Sequence, residues 1–167
     1  MIEREVDVTT PDGVMKTFLY HPSHGGPHPV VLYLMDAPSI RPALKEMANR
    51  LASAGYYVML PYLFYRGGPY REFGSSDEDM HARQELMGTV TPTGILTDAA
   101  ALLEVAAGDD AARDNAFGAV GFCMSGGPTI AILQTPTGNR ASSRAEAQTQ
   151  TKMTPGARPL PCRDLRG

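Results

Sequence analysis

The stretch from Ala116 to Gly127 constrains this chain more than any other. An apolar run, Ala116 to Phe122, meets Cys123 and is followed at once by Met124-Ser125-Gly126-Gly127. Small residues around a cysteine at the end of a strand allow a tight turn directly into a helix, because strand and helix can then approach closely. The thiol is left on an exposed corner at a helix N-terminus, where unpaired N–H groups and a partial positive charge favour thiolate. The backbone N–H of Met124 points at the same place, a position suited to stabilising negative charge on a carbonyl oxygen. A buried cysteine is also a common small hydrophobe. Taken alone, these residues leave a nucleophile and a packed turn equally open.

The rest of the pattern supplies a sheet for that corner. Glu3 to Thr9 alternates apolar and polar residues, Pro11-Asp12-Gly13 is a turn signal, and Val14 to Tyr20 resumes as strand, which predicts a hairpin. Val30 to Met35 is continuously apolar, as suits a central strand buried on both faces of a mostly parallel sheet. Leu44, Met47, Ala48 and Leu51 recur at helical spacing across Arg41 to Ala54, and Gly55 is a natural stop. Tyr56 to Leu60 is a further strand closed by Pro61, so strand, helix and strand form a parallel crossover. Arg66 to Asp79 is polar and Gly-rich, a surface excursion at the carboxyl edge of the sheet that reads as a lid or entrance loop. Met80 to Met87 reads as a short helix and Thr93 to Ala107 as a longer one with an apolar face. Pro128 to Leu133 starts the helix under the corner, with Pro128 in its first turn.

From Gln134 to Gly167 there is no Val, Ile, Phe or Tyr. Burial cannot then offset an ordering cost of about 1–2 kcal/mol per residue, so the sequence divides into a domain over 1–133 and a disordered, non-native-looking tail over 134–167. Charge divides at the same place: 9 Lys and Arg face 16 Asp and Glu up to Leu133, and 6 face 2 after it. An acidic body without a basic stripe argues against a nucleic-acid partner. No run approaches the roughly 20 apolar residues of a membrane span, and no basic start precedes an apolar segment, which predicts a cytoplasmic protein. The two cysteines, Cys123 and Cys162, do not form a disulfide framework and are expected to be free thiols.

Candidate partners of the thiol follow from the strand order. A second oxyanion donor comes from the loop after the central strand, at Asp36 or Ala37. Asp36 read by itself is a helix-capping acid. His21, His24 and His28 lie in a Pro/Gly loop without metal-ligand spacing and read as surface residues, and His81 and Arg83 as members of a solvated helix face.

Three segments together resemble the dienelactone hydrolase family of α/β hydrolases: Gly121 to Gly127, Met35-Asp36-Ala37-Pro38-Ser39-Ile40-Arg41-Pro42-Ala43-Leu44, and Arg50 to Val58 leading to Pro61 to Arg66. The likeness covers about Met1 to Leu133. It implies the N-terminal portion of a three-layer α/β-hydrolase sandwich with a mostly parallel sheet, cut off after the nucleophile helix. The implied chemistry is hydrolysis of a lactone or small ester with neither metal nor organic cofactor. Carried over, Cys123 is the nucleophile, Asp36 stands where the family often has Glu, and Met124 with Ala37 supply oxyanion N–H groups. Two departures are visible. Ser125 stands where the family commonly has Gly, either tightening the turn or offering a rival hydroxyl. The family triad also needs an Asp and a His after the nucleophile, whereas every histidine here precedes Cys123. Catalysis is therefore expected to be impaired, and an inactive interaction remnant with an exposed sheet edge is the competing expectation.

Overall fold

Five strands form one sheet in the computed structural model, which describes residues 1–135. Strands β1 (Ile2–Thr10) and β2 (Gly13–His21) are the expected hairpin, turned through Gly13 at φ 137°, which L side chains rarely adopt. Strands β3 (His28–Leu34), β4 (Tyr57–Pro61) and β5 (Ala112–Gly121) complete the order β1-β2-β4-β3-β5. The β1/β2 and β2/β4 pairs are antiparallel, whereas β3 is parallel to both β4 and β5. The apolar run in β3 thus lies inside the sheet, as its two-sided hydrophobicity requires, with Leu32 and Leu34 essentially inaccessible.

Helices cover this sheet through faces legible in the sequence. Of the four residues expected to face inward from α1 (Pro42–Ser53), Leu44 and Ala48 are buried, together with Ala52, on the side that packs on β2 and β4, whereas Leu51 is half-buried and Met47 is exposed, because the buried row follows the i, i+4 spacing alone. Gly55, at φ 102°, then turns the chain into β4. Helix α2 (Asp77–Met87) starts three residues before its apolar pattern, because the Ser76 hydroxyl caps it by accepting the Asp79 N–H at 3.1 Å. No residue of α2 is buried, His81 and Arg83 included. Helix α3 (Pro92–Ala107) begins at Thr91, which accepts the Gly94 N–H at 3.0 Å, and it buries Ile95, Ala99, Leu102 and Ala106. Helix α4 (Gly126–Leu133) carries Pro128 in its first turn and packs against α3 and β5. Apart from residues 134 and 135, the tail expected over 134–167 lies outside the described residues, as does Cys162.

The excursion after β4 is pinned to the body. Arg66 forms a two-pronged pair with Asp98 of α3 at 2.8 and 2.9 Å and reaches Asp12 of the hairpin turn at 2.8 Å. Asp98 is 1% exposed and also accepts the Tyr65 hydroxyl at 2.7 Å. Those bonds to Asp98 hold the Arg66 guanidinium above its ordinary pKa, and burial is the main cause that pushes the Tyr65 phenol up to about 12. Further along, Tyr70 and Phe73 pack on the core.

Two expectations at the other end of the sheet are corrected. His21 and His28 are buried, at 9% and 6% exposure, because β2 and β3 run through them and only residues 22–27 form the loop. The His21 ring stacks on Tyr57 at 5.5 Å, while the His28 N–H donates to the Ala111 carbonyl at 2.8 Å. His24 alone of the three is exposed. Below them, Asp109 accepts from the Tyr57 hydroxyl at 2.7 Å and the Ala111 N–H at 3.0 Å, and pairs with Arg4.

Candidate active site

The end of β5 turns as its small residues require. Phe122 is extended, Cys123 to Ser125 form one 3-10 turn, and α4 begins at Gly126 without a break. Cys123 has φ 53°, a left-handed conformation that costs a non-glycine residue about 1–3 kcal/mol and persists only where its surroundings impose it. Its thiol is free and exposed, which removes the packed-hydrophobe reading. The imposing contacts are close. A Cβ placed on Gly121 would lie well inside contact with Thr129 Oγ1 and only 2.7 Å from the Ser125 carbonyl, so only glycine lets the strand pass this near the helix. Thr129 Oγ1 in turn donates to the Ser125 carbonyl at 2.7 Å.

The loop after β3 comes to the same edge. Leu34 is in register with Gly121, so Asp36 and Cys123 each stand two residues beyond the last paired positions of neighbouring parallel strands. Ser39, at φ 70°, is the other non-glycine residue in the left-handed region among the described residues, and its N–H donates to the Asp36 carbonyl at 3.0 Å. Ala37 is partly buried within this loop, as is Met124 within the corner.

Asp36 does not cap α1, whose N-cap is Arg41 with no side-chain cap. It instead receives both arms of the Arg41 guanidinium, at 2.6 and 2.8 Å. These bonds to Asp36 raise the Arg41 pKa above its ordinary value. Beside them, burial chiefly raises the Tyr33 phenol, the Asp36 charge adding to it and Arg41 opposing it. The Tyr33 ring, 3% exposed, meets Phe122 edge-on at 5.8 Å. Neither Arg41 nor Tyr33 stood out in the sequence. A pair five residues apart in a loop has no periodic signal, and an aromatic in a buried strand reads as core.

Ser125 settles one alternative. Its side chain is 0% exposed and fully engaged by the corner, so it offers no rival hydroxyl to a substrate. A cavity of about 370 Å³ lies elsewhere, lined by Glu3, Tyr20, Lys45, Glu46, Asn49 and Arg50. Among the described residues no group of three or more His, Cys, Asp or Glu side chains could hold a metal ion, and no single helix is long and apolar enough to cross a membrane.

A mixed sheet in this order, with a left-handed cysteine between its last strand and the following helix, defines the N-terminal portion of an α/β-hydrolase fold. The family model described as "Dienelactone hydrolase family" matches residues 15–147, and the chain belongs to that family. A Methylorubrum extorquens protein assigned as a carboxymethylenebutenolidase is 27% identical over 126 residues, covering 75% of this chain and 42% of the relative. A solved structure from Klebsiella pneumoniae, assigned as a dienelactone hydrolase, superposes with a TM-score of 0.68 at 23% identity, over 81% of this chain and 56% of that one. Dienelactone hydrolase from Anabaena variabilis gives 0.56 at 17% identity, over 79% of this chain and 56% of that one. The chain thus spans about half the length of the relatives it matches.

Proposed function

We propose that this chain performs acyl transfer through Cys123 on a lactone or small ester. The exposed thiol in a left-handed turn at the carboxyl end of β5 carries the reading. As thiolate, Sγ attacks the carbonyl carbon. The carbonyl oxygen becomes an oxyanion that accepts from the N–H groups of Met124 and Ala37, and the tetrahedral adduct collapses to a thioester as the C–O bond breaks and the departing alkoxide takes a proton from solvent water. Water then cleaves the thioester, restoring the thiol. Asp36, held by Arg41 at the same edge, sets the charge around the sulfur. The second step needs a general base, and every histidine precedes Cys123. Catalysis without a triad member runs about 10⁴ to 10⁶ slower, so the step proposed for the residues given is acylation, with turnover by these residues alone impaired. Cytoplasmic location and a small-molecule partner belong to the same proposal.

A thiol-reactive ester probe at neutral pH labels Cys123 if this is right. Absence of labelling in a chain with an intact cooperative melt overturns it. The second reading is an interaction remnant, favoured by the outer edge of β5, which pairs only with β3 among the described residues. Ester hydrolysis that is equal in the wild type and Cys123→Ala selects the remnant, and a faster wild type selects the hydrolase.

A further inference from the structure

We propose that Ser125 is a positioning residue that holds the Cys123–Met124 peptide in its oxyanion-binding orientation. This inference rests on the acyl-transfer reading and assigns a role to the residue that departs from the family's usual glycine. The Ser125 hydroxyl accepts the Phe122 N–H at 3.0 Å and has one proton to give, directed to the Phe122 carbonyl at 3.1 Å with the Leu34 carbonyl of β3 farther away at 3.4 Å. Its own backbone N–H also donates to the Phe122 carbonyl, at 3.1 Å.

Both polar groups of Phe122 are thereby tied to Ser125, and between them lie only Cys123 and Met124. The loop so closed runs from Phe122, an extended residue whose ring leans on Tyr33, to Ser125. Closing it leaves Cys123 the left-handed conformation, and the Met124 N–H takes its direction from that peptide. The Ser125 side chain is inaccessible, and its carbonyl is fixed by Thr129 Oγ1, so the clamp has no competing water and little freedom. Glycine at this position could close the turn but could not tie the end of β5 to itself.

The test separates geometry at the peptide from reactivity at the sulfur. Alkylation of Cys123 by iodoacetamide needs only the thiolate, whereas acylation by p-nitrophenyl acetate also needs the oxyanion donors. In Ser125→Ala the acylation rate, read as the nitrophenolate burst, falls about tenfold, the size expected when one oxyanion donor is misaligned rather than removed. Alkylation changes less than about twofold. Ser125→Gly, which cannot clash with its surroundings, shows the same split ratio. Equal acylation in wild type and both variants overturns the proposal, as does a parallel fall in both reactions. If both variants lose a cooperative thermal melt, the hydroxyl serves folding and the proposal also fails. A wild type that acylates no faster than Cys123→Ala refutes the acyl-transfer reading itself, an outcome distinct from any of these.

Discussion

Replacing Gly121 by alanine tests the contact on which the corner depends. The new Cβ would overlap Thr129 Oγ1 and stand 2.7 Å from the Ser125 carbonyl and 3.0 Å from its hydroxyl oxygen. None of the three can withdraw freely. Thr129 Oγ1 is committed to the Ser125 carbonyl at 2.7 Å, the carbonyl is backbone, and the Ser125 hydroxyl is held at both ends of Phe122. Relief therefore breaks the Thr129 bond, at about 1 kcal/mol, and forces the strand and helix apart, at about 1–3 kcal/mol for overpacking. The total, about 2–4 kcal/mol, corresponds to a fall in melting temperature on the order of 6–15 °C for a domain of this size. Gly127→Ala is the control: nothing lies within 4 Å of its added Cβ, and the site is helical and exposed. That substitution should be neutral or stabilising by up to about 1 kcal/mol. Thermal melts by circular dichroism, with the ester burst on the same samples, read both effects. Gly121→Ala melting within about 2 °C of wild type, with an undiminished burst, would refute the close-approach argument.

Other perturbations probe separate parts of the molecule. Arg66→Met strands the Asp98 carboxylate in the core and should destabilise by about 3–5 kcal/mol by urea titration, whereas a change below about 1 kcal/mol would mean Asp98 finds another partner. Burial works against the Asp109 charge, but the Ala111 N–H, the Tyr57 hydroxyl and Arg4 outweigh it and hold its pKa below the ordinary 3.8. A depressed carboxyl stabilises fully above its unfolded pKa and loses that contribution as pH falls through the folded value, so Asp109→Asn should flatten the stability profile below about pH 4. An identical acid limb in wild type and variant would contradict this. Asp36→Asn leaves Arg41 uncompensated beside the corner, and alkylation of Cys123 by anionic iodoacetate relative to neutral iodoacetamide should rise about two- to fivefold at low salt. A ratio that does not move would place Asp36 outside the field of the thiol.

The hairpin, the buried strand β3, the existence of α1 with Leu44 and Ala48 inward, and the turn at Cys123 were legible in the chain itself, although Met47 of the expected stripe faces out. Each follows from short-range rules: period-two alternation, two-sided hydrophobicity, three-four spacing, and small residues where strand meets helix. What lay outside those rules depended on partners distant in sequence or hidden by residue type. Histidines beside Pro and Gly read as surface residues, yet the length of β2 and β3 carries His21 and His28 into the interior, where the His21 ring stacks on Tyr57 and the His28 backbone N–H donates to the Ala111 carbonyl. A polar, Gly-rich stretch reads as a lid or entrance loop, but nothing in it foretells that its first residue, Arg66, pairs with Asp98, 32 residues on. Asp36 shows the division most plainly. Its place after the central strand is a property of the sequence, but its pairing with Arg41 rather than with the first turn of α1 is set by how the loop folds back through Ser39. Local chemistry decides which backbone shapes are available to each segment, and packing in three dimensions decides which polar groups then meet.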